Sequence, residues 1–67
     1  MERVPVESEM IRSVGYRDGV LEVEFEKGSV YQYFDVPAPL HDELMQADSK
    51  GTFFNDQIRG AFRYART

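Results

Sequence analysis

The sequence predicts an α+β domain of 67 residues, a three-stranded antiparallel meander followed by two short helices. Three observations lead to it. Val20 to Lys27 alternates strictly, with Leu21, Val23 and Phe25 on one side and Glu22, Glu24 and Glu26 on the other; period two with a single apolar row marks a half-buried strand. Turn dipeptides flank it, Asp18-Gly19 before and Lys27-Gly28 after, so its neighbours run antiparallel. Beyond Pro37 and Pro39 the apolar period lengthens to that of helices.

Taken in order, residues 1–9 are polar, contain Pro5 and show no period, which predicts a flexible or loosely docked arm preceding a single domain over 10–67. Arg12 to Arg17 is the first strand. A two-residue turn at Asp18-Gly19 sets Tyr16 against Leu21 and Val14 against Val23. Val20 to Lys27 is the second strand and Ser29 to Val36 the third. A two-residue turn at Lys27-Gly28 sets Phe25 against Val30, Val23 against Gln32 and Leu21 against Phe34. In that register Leu21, Val23, Phe25, Val30 and Phe34 face inward, while Tyr31 and Tyr33 share the outer face with the glutamates. Its weak points are Arg12 opposite Phe25 and Gln32 opposite Val23.

Pro37 and Pro39 end the sheet, and Pro39 suits the first turn of a helix. Leu40, Leu44 and Ala47 form its apolar stripe, with Asp42 and Glu43 near the start, and Ser49-Lys50-Gly51 breaks it. A second helix is expected from Thr52 or Asn55, both acceptable caps. Its stripe is Ile58, Ala61, Phe62 and Ala65, with Arg59, Arg63 and Arg66 along the flank. Gly60 inside it suggests a close backbone contact. The helices pack on one face of the sheet, and the pattern also allows the sheet to curl into a partial barrel.

Composition narrows the function classes. A chain this short buries only about 60% of its unfolded surface, so the core must be efficient or a partner must help. With no Cys and one His, disulfides and thiolate metal sites are excluded, as are the commonest metal-ligand clusters; no metal and no cofactor are expected. Nine aromatics, 13% of the chain, indicate a ring-rich core. No apolar run approaches the ~20 residues of a membrane span, and no signal-peptide pattern opens the chain, so a cytoplasmic location is expected. The net charge of −4 opposes strong non-specific binding to phosphate backbones, but it is unevenly spread. Residues 1–48 carry −7, whereas Lys50, Arg59, Arg63 and Arg66 against Asp56 give residues 49–67 a charge of +3.

Few residues suggest chemistry. His41 is the lone histidine, without the spacing of a triad, and reads as solvent-facing. Ser49-Lys50 resembles a Ser–Lys dyad only in its letters, because such a serine needs a desolvated lysine. Alternate strand residues lie roughly 6.5–7 Å apart, so Glu22, Glu24 and Glu26 read as a solvated row beside Arg12 or Arg17. No enzyme is expected. Tyr31 and Tyr33, displayed on an outer face, could stack nucleobases; otherwise arm or helix residues cover them. Lys50, Arg59, Arg63 and Arg66, with Asn55 one turn before Arg59, form the best anion-binding group.

The order and spacing of several segments resemble the KTSC domain family. These are Ser13-Val14-Gly15-Tyr16, Leu21-Glu-Val-Glu-Phe25, and Gly28-Ser-Val-Tyr-Gln-Tyr33 with its Tyr-x-Tyr. They continue with Val36-Pro37, Ala47-Asp-Ser-Lys-Gly51, Phe54-Asn55 and Ile58-Arg59. The resemblance spans about Met10 to Tyr64. It implies a domain found alone in small bacterial proteins and at the C-terminus of some lysyl-tRNA synthetases. No reaction goes with it, and the attachment to a tRNA enzyme suggests RNA binding. Tyr31, Tyr33, Asn55 and Arg59 occupy characteristic family positions. Two functions follow as expectations: a weak RNA-binding accessory module acting through a basic second helix and the tyrosines, on a tRNA-like partner, or a protein-interaction or self-association module, monomeric or weakly dimeric, using the free sheet edges.

Overall fold

A computed structural model describes residues 1–67. The elements are β1 (Val4–Pro5), β2 (Ile11–Arg17), β3 (Val20–Phe25), β4 (Val30–Tyr33), α1 (Ala38–Gln46), α2 (Lys50–Gln57) and β5 (Tyr64–Arg66). The α+β class holds, but the meander has five strands instead of three. All neighbours are antiparallel in the order β1-β2-β3-β4-β5. The sheet stays open, with β1 and β5 as its edges, and does not close into a barrel. No helix is long and apolar enough to cross a membrane.

The first hairpin follows the expected register. Asp18 and Gly19 take φ of 51° and 83°, the left-handed pair that a tight primed turn needs. Tyr16 faces Leu21 and Val14 faces Val23. The misfit of Arg12 against Phe25 is relieved by a bulge: Ile11 pairs with Phe25, Ser13 with Glu24, and the ladder shifts between them. One extra residue turns Arg12 away from the apolar face, where its guanidinium approaches Glu24 and Glu26, at 3.7 Å each.

The second hairpin differs by one residue. Its loop is Glu26-Lys27-Gly28, closed by Gly28 N donating to Phe25 O at 2.8 Å and Phe25 N donating to Ser29 O at 2.9 Å. Gly28 has φ 97°, as the left-handed position of a three-residue hairpin loop requires. Leu21 therefore faces Tyr33, Val23 faces Tyr31 and Glu24 faces Val30. A one-residue slip inverts a strand. Tyr31 and Tyr33 point to the core side, while Gln32 joins the glutamates.

The second helix, expected to carry its apolar stripe through Ala65, is also corrected. The Ser49 side chain accepts a hydrogen bond from Thr52 N at 3.3 Å and caps α2, which starts before Thr52 and ends at Gln57. Gly60, at φ 81°, turns the chain out of the helix. An added Cβ there would meet nothing within 4 Å, so this glycine serves conformation and not close contact. The chain then returns as β5 beside β4. Ile58 is fully buried, but Ala61 and Ala65 are exposed; the apparent stripe spans a helix end, a turn and a strand. In α1, Pro39 falls in the first turn as expected, whereas Asp42 and Glu43 lie beyond it, where the dipole has weakened.

The core comprises Ile11, Val14, Leu21, Val23, Tyr33, Val36, Leu44, Phe54 and Ile58. The opposite sheet face is polar and covered by the N-terminal residues expected as an arm. Val4 and Pro5 pair with Val14 and Ser13. Arg3 donates through Nη1 to Glu22 Oε2 and through Nε to Ser13 Oγ. Gln32 Nε2 donates to Glu22 Oε1 at 2.8 Å, and Ser13 Oγ donates to Glu24 Oε1 at 2.8 Å. The glutamate row is thus not uniformly solvated, since Glu22 is only 6% exposed. Gly15 lets the segment lie this close, because a Cβ would come 2.7 Å from the Glu2 carbonyl oxygen.

Candidate functional site

The inverted β4 builds an aromatic groove. Tyr31 and Tyr33 sit on β4, and Tyr64 stands opposite Tyr33 on β5. Ring centroids are 6.4 Å apart for Tyr31–Tyr33, 5.9 Å for Tyr31–Tyr64 and 5.7 Å for Tyr33–Tyr64. Phe25 and Phe54 support the tyrosines from below: Phe25 meets Tyr31 edge-on at 5.8 Å, and Phe54 meets Tyr33 edge-on at 5.2 Å. The groove has a volume of about 830 Å³, and Met10 and Arg59 are among the residues that line it. Glu9, Glu26 and Lys27 complete its charged rim.

The tyrosines play different parts. Tyr64 is 62% exposed and forms a wall; Tyr33 is 6% exposed and forms the floor. No buried side-chain oxygen is left unpartnered, and Tyr33 lines the groove, so its hydroxyl opens into that space. Burial raises the Tyr33 hydroxyl pKa above its ordinary value, with Tyr31 and Tyr64 adding to the rise and Arg59 opposing it. A neutral hydroxyl that can both donate and accept therefore stands at the groove floor. On the opposite sheet face the Glu22 pKa is lowered, chiefly by the Gln32 hydrogen bond; burial pushes it up, and Arg3 pulls it down by hydrogen bond and charge.

Of the residues singled out from sequence, Tyr31, Tyr33 and Arg59 converge here. Asn55 accepts from Arg59 Nη1 at 3.4 Å but opens with Lys50 onto a separate polar hollow containing Glu7, Glu9 and Asp48. Lys50 Nζ donates to Ala47 O at 3.1 Å. Arg63 pairs with Asp35 at 3.0 Å and lies 5.6 Å above the Phe34 ring, away from the groove. With α2 ending at Gln57, Arg59, Arg63 and Arg66 do not form a basic helical flank. His41 is only partly solvent-facing, its side chain 23% exposed: its ring stacks on Tyr16 at 4.7 Å, and Nδ1 lies 3.5 Å from Asp42 Oδ1. Tyr64 escaped the sequence reading. Its signal was the apolar-polar-apolar alternation of Phe62-Arg63-Tyr64 shortly after Gly60, which fits a strand as readily as a helix turn.

Comparison with known proteins places this geometry among relatives. The KTSC domain model matches residues 7–62. An uncharacterized protein of Stutzerimonas stutzeri is 41% identical over 98% of this chain and 97% of its own length. A lysine–tRNA ligase of Trichormus variabilis is 50% identical over 66% of this chain; the match spans only 8% of that ligase's length. A crystal structure of the KTSC domain protein YPO2434 from Yersinia pestis superposes with a TM-score of 0.90 at 43% identity, covering 98% of this chain and 96% of that one.

Proposed function

The chain belongs to the KTSC domain family, and we propose that it is a non-catalytic cytoplasmic binding module whose aromatic groove receives unstacked bases of single-stranded RNA. The observation that carries this reading is the convergence of Tyr31, Tyr33 and Tyr64 over one open groove beside Arg59. A base inserted against Tyr64 gains stacking energy, ~1–3 kcal/mol per base. The Tyr33 hydroxyl offers a hydrogen bond to a base edge, and Arg59 supplies a guanidinium for a phosphate or a second stacking plane. The recurrence of similar segments in lysine–tRNA ligases supports RNA as the ligand class. The structural employment of His41 against Tyr16 and of Ser49 as a helix cap supports the non-catalytic half of the reading.

The rim charges of Glu9, Glu26, Lys27 and Arg59 balance, so stacking contributes more than phosphate neutralisation. Two cations at most correspond to a salt slope of about −1.4. The test uses the chain's own fluorescence. It has four tyrosines and no tryptophan, and three of those tyrosines line the groove. Titration with a short single-stranded oligoribonucleotide at low salt should quench tyrosine emission, and Tyr64→Ala should weaken binding about tenfold. Unchanged emission, or equal affinity for a folded Tyr64→Ala, would refute the reading.

A further inference from the structure

The two sheet edges are not equivalent. On β1, Val6 N donates to Arg12 O at 3.1 Å, and Val4 faces Val14, so by antiparallel alternation the intervening Pro5 turns its backbone outward. Proline has no N–H to offer there, and the strand is two residues long; this edge is blocked. On β5, Phe34 N donates to Arg63 O and Thr67 N to Val30 O, each at 2.9 Å. The same alternation turns the N–H and C=O groups of Tyr64 and Arg66 outward. All three β5 residues are exposed.

We propose that the β5 edge pairs with the β5 edge of a second copy, antiparallel and centred on Ala65. In that register Tyr64 of each copy faces Arg66 of the other, and Ala65 faces Ala65. The outward groups of both residues then form four backbone hydrogen bonds around the two-fold axis. The alternatives are poorer. Centring on Arg66 sets cation against cation, and centring on Tyr64 leaves Arg66 opposite Phe62, outside the strand. The strand is thus self-complementary: it supplies both the ring and the guanidinium that stack across the axis. Because Pro5 blocks the far edges, association closes at two copies and does not run on into a filament. In-plane pairing keeps both helical layers on one side of a continuous sheet, so the two aromatic grooves open side by side. With so short a strand the dimer is weak, populated toward millimolar concentration.

The cysteine-free sequence makes the test direct. Opposed Ala65 residues form a non-hydrogen-bonded pair with Cα atoms about 4.5 Å apart, within disulfide reach. The two Arg63 residues would lie four residues apart along the strand, ~14 Å at 3.4 Å per residue, outside that reach. Under mild oxidation Ala65→Cys should therefore form covalent dimers many-fold faster than Arg63→Cys. In parallel, sedimentation of the unaltered chain should show the mass rising from 7.8 kDa toward twice that value with concentration. Arg66→Pro, which removes one outward N–H and no ladder bond, should hold it at the monomer mass. Equal cross-linking rates for the two cysteine variants, or a strict monomer at millimolar concentration, overturns the proposal.

Discussion

Tyr33 lies directly opposite Leu21 across the β3–β4 ladder, and that pairing decides the side to which both β4 tyrosines point. It places Tyr33 on Phe54 and Tyr31 on Phe25, and it sends Gln32 to Glu22 on the other face. The groove and the buried polar network are two consequences of one loop geometry.

Gly28 permits that geometry. At φ 97°, with nothing within 4 Å of an added Cβ, Gly28→Ala meets conformational strain but no clash. It should lower stability by roughly 1–2 kcal/mol, read as a reduced denaturation midpoint at unchanged slope.

Gly60→Ala separates the observed fold from the continuous helix suggested by sequence. Inside a helix the substitution would stabilise by about 1 kcal/mol; at φ 81° it should destabilise by a similar amount. Ile58→Ala should cost about 2–5 kcal/mol, because Ile58 is fully buried. Ala61→Ser, at an exposed position on the same apparent stripe, should stay within about 0.5 kcal/mol of the parent.

The Arg3–Glu22–Gln32 network gives stability an acid limb. The Glu22 pKa is lowered in the folded state, so its contribution is complete above the ordinary carboxylate value and is lost as pH falls through the folded value. Glu22→Gln should flatten the melting temperature across that acid range. Arg3→Ala, which strips a partner from a buried carboxylate, should cost about 1–3 kcal/mol near neutrality.

Tyr33 supplies the opposite limb. Its hydroxyl pKa is raised by burial, so stability is complete below the ordinary tyrosine value and declines as pH rises toward the folded one. Tyr33→Phe keeps the ring packing and should flatten the alkaline decline, checked by denaturant unfolding at a series of alkaline pH values.

How far the sequence was legible follows local geometry. Asp18-Gly19 specifies a two-residue turn by its own conformational needs, so the first hairpin could be read directly. Lys27-Gly28 fits a two-residue turn or the end of a three-residue loop equally well, and only packing against Phe54 selects the latter. The Arg12 bulge showed itself as a misfit with Phe25 but not as a ladder shift. Gly60 looked like a costly helix interior because Ile58, Ala61, Phe62 and Ala65 carry helical spacing by coincidence. Tyr31, Tyr33 and Arg59 stand out in the sequence without the groove that unites them; Tyr64 does not, because its strand carries helical spacing.

The most direct test of the groove is a chemical-shift titration of the isotope-labelled chain with a short single-stranded oligoribonucleotide at low salt. Shifts should concentrate on Tyr31, Tyr33, Tyr64 and Arg59 and spare Lys50, Asp35 and Arg63. An unperturbed spectrum, or shifts centred on Lys50 or Arg63 with the tyrosines unmoved, would contradict the assignment.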